Sequence, residues 1–133
     1  MPTIRRMLGG RRVKLDDTLI ATWEPSTITI EFADGRKQVV RYREEGEFYI
    51  FRSRVVTSRI AWQFDEGRLA CDILQRNRAV DAVAFVRARN GDVEGRIVQR
   101  IATLQHVELL FFLKTLAREA DRFEMYLTGR DRE

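Results

Sequence analysis

The sequence predicts an α+β protein in which helices cover one face of an antiparallel sheet of about five strands. Three observations support this fold class. Apolar and polar residues alternate with a period of two over residues 26–56, a pattern typical of half-buried strands. Asn90-Gly91 is a strong hairpin signal, and apolar residues recur at helical spacing in 58–77 and 103–128. The predicted order along the chain is βββαββα.

These elements fit a single domain over residues 1–133, because a chain of this length can bury one hydrophobic core and contains no Pro/Gly/Ser linker. Residues 1–24 are harder to assign. Their apolar residues fit either one helical turn or an irregular strand, and both alternatives stay open. The residues concerned are Leu15, Leu19, Ile20 and Trp23.

Residues 26–56 predict a three-stranded meander with two turns. Gly35 favours a three-residue loop with a bulge, which places Ile28 opposite Val40. A second turn at Glu45-Gly46 pairs Val40 with Phe51. This register gives the meander one consistent apolar face, and a slip of one residue would mix the two faces.

The opposite face of the meander carries basic and apolar side chains together. We call it the arginine face, and it consists of Arg41, Arg43, Phe48, Ile50, Arg52 and Arg54. Arginine binds carboxylates and phosphates through paired hydrogen bonds, so the face is a candidate site for a partner. A solvated outer face is the alternative interpretation.

The next helix is predicted over residues 58–77, with Gly67 as a weak point that would break it or delay its start to about Asp65. Its apolar residues form two rows, of which one suffices to cover a sheet. The surplus predicts a dimer contact made by Ile60, Trp62, Leu69 and Ile73. Cys71 lies among these apolar residues, and we expect its thiol to be buried.

Residues 81–100 predict a hairpin around Asn90-Gly91. A two-residue type I′ turn would pair Arg89 with Asp92 and Arg87 with Glu94, which are opposite charges. One face would then consist of small and aliphatic residues that let a helix approach closely. These residues are Ala82, Ala84, Val86, Ala88, Val93, Gly95 and Ile97.

The last helix is predicted over residues 103–128, capped by Thr103 and ended by Gly129. Its apolar stripe is broad enough to be the main cover of the sheet. The stripe consists of Leu109, Phe112, Leu113, Leu116, Ala120, Phe123 and Leu127.

No motif for catalysis, nucleotide binding or metal binding is found. His106 has no partner at zinc-ligand spacing, and Cys71 is the single cysteine. We therefore expect a protein that is not an enzyme and has no cofactor or metal. The lone cysteine fits a cytoplasmic protein, and no apolar run is long enough to span a membrane. The net charge is +4, and only three of the 24 basic residues are lysines.

The chain resembles the type III secretion chaperone-like fold and, within it, the YbjN-like family of bacterial proteins. The order of elements carries this resemblance, together with three segments between residues 26 and 130. They are Ile73-Leu74-Gln75-Arg76-Asn77, the hairpin from Val83-Ala84-Phe85 through Asn90-Gly91 to Glu94-Gly95-Arg96, and the tail from Thr103-Leu104 through Leu116-Ala117-Arg118-Glu119-Ala120-Asp121-Arg122 to Leu127-Thr128-Gly129. The resemblance implies a protein-binding or regulatory module without catalysis, commonly dimeric.

The sequence thus predicts a protein-interaction or regulatory module that binds an unidentified protein partner and associates with itself as a homodimer. The alternative is a nucleic-acid-binding protein that uses the arginine face.

Overall fold

The computed structural model describes residues 3–129 and contains one seven-stranded sheet with helices packed against it. Every pair of neighbouring strands is antiparallel, and their order is β1-β2-β3-β4-β5-β7-β6. The elements are α1 (Ile4–Leu8), β1 (Arg12–Asp16), β2 (Leu19–Glu24), β3 (Thr27–Phe32), β4 (Lys37–Glu45), β5 (Phe48–Val56), α2 (Ser58–Ala61), α3 (Glu66–Ala79), β6 (Ala84–Arg87), β7 (Val93–Arg100), a 3-10 turn (Ile101–Thr103) and α4 (His106–Thr128).

The sheet has seven strands rather than about five because the N-terminal segment forms a hairpin, β1–β2, after the short helix α1. Strand β2 continues the meander by pairing with β3, with Ala21 opposite Ile30. Leu19 and Ala21 are buried while Thr22 is half-buried, so buried and more exposed residues alternate along β2 as in the other strands. Alanine and threonine mark that period too weakly to distinguish a strand from a helical turn.

The first turn of the meander has the predicted register, and the second does not. Ile28 lies opposite Val40, as expected from a loop that Gly35 closes. In the next hairpin Val40 lies opposite Ser53 instead of Phe51, because the two loop residues are Gly46 and Glu47. This is a slip of two residues, and it leaves every side chain on its predicted face.

The hairpin β6–β7 differs from the predicted register by one residue, which exchanges the two faces of β6 and leaves those of β7 as predicted. The N–H of Gly91 donates to the carbonyl of Ala88 at 2.9 Å, and the N–H of Ala88 donates to the carbonyl of Asp92 at 2.7 Å. The loop therefore has three residues, and Gly91 (φ 95°) takes the left-handed conformation, whereas Asn90 does not. The result is a bulged loop rather than a type I′ turn.

The changed register places Phe85 opposite Gly95 and Arg87 opposite Val93, so the predicted charge pairs across the strands do not form. Arg87 instead donates from Nε to the carbonyl of Gly91 at 2.6 Å. The buried face of the hairpin consists of Val83, Phe85, Val93, Gly95 and Ile97. The alanines at even positions lie on the other face.

The predicted helix 58–77 is two helices, since α2 ends at Ala61 and α3 begins at Glu66. The Asp65 carboxylate accepts a hydrogen bond from the N–H of Arg68 at 2.9 Å and caps α3, as expected from the weak point at Gly67. Leu69 is 1% exposed and faces the core. Cys71 lies on the opposite side of α3 and is exposed, so the expectation of a buried thiol was wrong.

Helix α4 covers the sheet with the predicted stripe, although Phe112 is only partly buried. It begins at His106 rather than near Thr103, because Gln105 and Glu108 form a capping box while Thr103 lies in the 3-10 turn. Gly95 permits the close approach of α4: a Cβ atom there would lie 3.1 Å from Cδ1 of Leu116. None of the helices within residues 3–129 is both long and apolar enough to cross a membrane.

The loop of the β6–β7 hairpin yields a first testable prediction. Gly91→Ala and Gly35→Ala both place a side chain at positive φ, which costs about 1–2 kcal/mol. Only at Gly91 would the new Cβ meet a neighbour, namely Cβ of Ser58 at 2.9 Å, whereas Gly35 has nothing within 4 Å. We expect Gly91→Ala to lower the free energy of unfolding in urea more than Gly35→Ala does. Equal losses would show that α2 does not pack on this loop.

The β1–β2 turn yields a second prediction, because Asp16 binds the Arg118 side chain of α4 and the N–H of Thr18 at 2.8 Å. Burial acts to raise the pKa of Asp16, but the hydrogen bonds from Thr18 and Arg118 outweigh it and hold that pKa below its ordinary value. A carboxyl group of this kind stabilises the fold above its unfolded pKa of about 3.9, and the stabilisation disappears as the pH falls through its folded pKa.

Asp16→Asn should therefore lower the melting temperature at neutral pH and have progressively less effect as the pH falls below about 3.9. Asp17→Asn is the matched control, since the Asp17 side chain is fully exposed and lies 3.6 Å from Lys14 Nζ. A deficit in melting temperature that persists in strong acid, or one no larger than that of the control, would contradict this account.

Candidate interaction surfaces

The face of the sheet opposite α4 carries three arginines on three adjacent strands. Arg41 of β4 lies directly opposite Arg52 of β5, which lies directly opposite Arg96 of β7. Side chains in such positions have Cβ atoms about 4.5–5.5 Å apart. We call Arg41, Arg52 and Arg96 the arginine row, and the sheet places two members of the predicted arginine face in it.

One carboxylate, that of Glu94, contacts arginines of the row. Arg96 donates to Oε1 of Glu94 from Nε at 2.9 Å and from Nη2 at 2.7 Å, while Nη1 of Arg52 lies 3.9 Å from Oε2 of the same residue. Glu94 is only 7% exposed. Within residues 3–129, the Arg41 side chain has no ion pair or hydrogen bond, and Nε of Arg52 is buried without a hydrogen-bond partner. The row therefore retains unsatisfied donors and positive charge.

The other two arginines predicted for the face already have partners. Nη2 of Arg43 lies 2.8 Å from Oε2 of Glu45. Nε of Arg54 donates to Oδ2 of Asp92 at 3.0 Å, and Asp92 also accepts from the N–H of Ser58. These pairs stabilise the hairpin ends and the start of α2, so Arg43 and Arg54 are less available to a ligand.

Apolar side chains lie beside the arginine row. Ile50 of β5 is opposite Val98 of β7, and Phe48 is opposite Arg100, whose guanidinium lies 5.8 Å from the centre of the phenyl ring. Val98 is 50% exposed and Phe48 is 37% exposed. We call Phe48, Ile50 and Val98 the apolar patch. Phe48 and Ile50 belong to the predicted arginine face.

The sequence prediction missed Arg96 and Val98 because it did not establish which strand follows β5 in the sheet. The alternation of Glu94, Arg96, Val98 and Arg100 contains the signal. It becomes informative only once β7 is known to pair with β5.

A groove of 710 Å³ extends from the arginine row along β4 and β5. The pairing of these two strands ends at Val40 and Ser53, and residues beyond that point on both strands line the groove. Seven basic and three acidic residues line it, and the basic ones are Lys37, Arg41, Arg43, Arg52, Arg54, Arg89 and Arg96. Its charge balance favours an anionic ligand.

A second surface lies on α2, α3 and the segment between them. Trp62 is 70% exposed and Leu74 is 53% exposed, while Ile60 and Ile73 are partly buried against the core. Leu69, predicted as a dimer contact, belongs to the monomer core because the helical turn directs it toward the sheet. We call the exposed residues Trp62, Cys71 and Leu74 the α2–α3 surface.

His106 has a structural contact, with Nδ1 lying 2.5 Å from the carbonyl oxygen of Met7 at the end of α1. Within residues 3–129, no group of three or more His, Cys, Asp or Glu side chains is placed to hold a metal ion.

Comparison with known proteins identifies the architecture. No family model matches the chain, and no curated protein matches it. A chain in the crystal structure of the ExsC-ExsE complex matches with a TM-score of 0.56 and 17% sequence identity, over 92% of this chain and 86% of that chain. The two chains share a fold. This agrees with the type III secretion chaperone-like fold expected from the sequence, while the narrower resemblance to the YbjN-like family stays a prediction.

Proposed function

We propose that this protein is a non-catalytic protein-interaction or regulatory module of chaperone-like fold, related to the YbjN-like proteins, which works in the cytoplasm as a homodimer. The α2–α3 surface is the observation that carries this proposal. Trp62 is 70% exposed although its neighbour Ala61 is fully buried, so a large aromatic side chain projects into solvent at the end of α2.

A second copy of the chain is the occupant that fits this surface. A twofold dimer uses the same patch on both subunits, so the exposed side chains of one copy would cover those of the other. Tryptophan contributes strongly to such contacts because a large area is removed from water at low cost in conformational entropy. The guanidinium of Arg87 lies 5.7 Å from the Trp62 ring centre and holds the ring over the β6–β7 hairpin.

The shared fold supports a protein partner by analogy. The similar chain comes from a structure that is, by its name, a complex of ExsC with ExsE. Fold likeness alone does not transfer function, so the analogy adds to the exposed surfaces of this chain and does not replace them. The alternative function, nucleic-acid binding through the arginine face, is supported by the arginine row.

Trp62→Glu should convert the dimer into a folded monomer, because a carboxylate at the centre of a twofold contact meets its own copy. Light scattering would show the mass halved, while circular dichroism stays close to that of the wild type. Val107→Glu is the matched control, since Val107 is 73% exposed at the start of α4, whereas α4 contacts α3 near its other end through Phe123 and Tyr126. Its mass should equal that of the wild-type dimer.

Two results would count against this contact: a Trp62→Glu variant that stays dimeric, or a wild-type protein that is monomeric at micromolar concentration. The protein-partner part of the proposal needs a separate test. Proteins captured from the native host should be purified and recombined with the chain, and a complex of defined stoichiometry should form. Failure of every captured protein to bind in purified form would remove this part.

A further inference from the structure

We propose that the arginine row and the apolar patch together bind an extended acidic segment of a partner protein. Its carboxylates would contact Arg41, Arg52 and Arg96, and its apolar side chains would contact Phe48, Ile50 and Val98. This inference rests on the proposed function as a protein-binding module, and it adds the chemistry of the partner and the surface that receives it.

The arginine row has positive charge that its own carboxylate does not fully compensate, and this charge favours an anionic ligand. Like charges directly opposite each other on adjacent strands destabilise a sheet, and the row contains two such pairs, Arg41 with Arg52 and Arg52 with Arg96. Glu94 compensates part of this charge through its bonds to Arg96 and its weak contact with Arg52. Arg41 is left without an acceptor, and the Arg52 side chain, which is 31% exposed, has only the contact with Glu94 at 3.9 Å. Carboxylates of a partner would supply acceptors to the exposed nitrogens of both arginines.

The spacing fits an extended chain. Three adjacent strands span about 10 Å, and alternate residues of an extended peptide lie about 7 Å apart on the same side, so two carboxylates reach the row together. The apolar patch lies parallel to the row, because Ile50 and Val98 are each two residues from a row arginine on the same strand. A peptide lying between them would direct alternate side chains to the two sides. The expected pattern is acidic and apolar residues in alternation.

Three observations favour a peptide over nucleic acid or a second copy. Phe48 is the one aromatic side chain of the apolar patch, and Arg100 already lies against its ring, so the described face offers no stacking platform for successive bases. Arg43 and Arg54 are held by Glu45 and Asp92, so fewer cations of this face remain free to follow a phosphate chain. A second copy would bring the same arginines and a net charge of +4 against the face.

Fluorescence anisotropy with three labelled probes tests the proposal. The first is a peptide of about 12 residues that alternates glutamate with leucine, the second is the same peptide with glutamine in place of glutamate, and the third is a single-stranded oligonucleotide of similar length. The wild-type protein should bind the acidic peptide more tightly than either other probe, and its affinity should fall as the salt concentration rises.

The double variant Arg41→Gln/Arg52→Gln should weaken binding of the acidic peptide at least about tenfold. It should keep its fold, because Arg96 still binds Glu94 and both like-charge pairs of the row are removed; an unchanged or higher melting temperature checks this. The control, Arg68→Gln/Arg78→Gln, removes the same charge from exposed arginines of α3 and should leave the affinity within about twofold of wild type.

Equal losses in the two double variants would overturn the proposal, because binding would then follow net charge alone. Tighter binding of the oligonucleotide would favour the nucleic-acid alternative and also overturn it. If no probe binds, or if the Arg41→Gln/Arg52→Gln variant binds a reconstituted protein partner as tightly as wild type, the surface is wrong while the protein-binding function stands. If none of the purified candidate proteins binds the wild-type chain, the proposed protein-binding function is wrong, and this inference is lost with it.

Discussion

Helix α4 packs across the middle of the sheet, and the positions of the other surfaces follow from that contact. Phe123 meets Phe85 edge to face, with ring centres 5.1 Å apart, and Leu116 approaches Gly95 so closely that a Cβ atom there would lie only 3.1 Å from Cδ1 of Leu116. Together with the packing of α4 on β4, β5 and β7, these contacts bury one side of the helix and exclude water from one face of the sheet. Because one long helix provides the cover, the opposite face stays open along β4, β5 and β7.

The period of two along the strands then divides the side chains sharply. Val40 is fully buried while its neighbour Val39 is 42% exposed, and Phe51 is buried beside the half-buried Arg52. A soluble sheet with an open face needs polar groups there, and arginine provides them. In this chain the arginines are aligned across three strands with one buried carboxylate between them. That alignment is the reason we propose the open face as a recognition surface as well as a solvated one.

The prediction from sequence succeeded where one residue type determines the backbone. Gly35 permits the loop that places Ile28 opposite Val40. The apolar stripe of α4 lies on one side of the helix only, so that side must be the buried one. It failed where two local solutions compete. Asn90-Gly91 accepts either a two-residue turn or a three-residue bulged loop, and packing of Gly91 against Ser58 accompanies the second. That difference of one residue exchanged the two faces of β6, while Val93, Gly95 and Ile97 of β7 kept their predicted face. The sequence also did not reveal that Leu69 is buried and Cys71 exposed, because their burial depends on which side of α3 meets the sheet.

The proposed partner site requires the open face to be accessible in the protein as it exists in solution, whatever its oligomeric state. NMR of methyl groups with a soluble gadolinium chelate measures this directly, since the chelate broadens signals that it can approach. The account predicts strong broadening for Val39 and Val98 and little for Val40 and Ile97, which lie on the same strands but under α4. Protection of Val39 and Val98 equal to that of Val40 and Ile97 would contradict it, because the face assigned to a partner would already be covered.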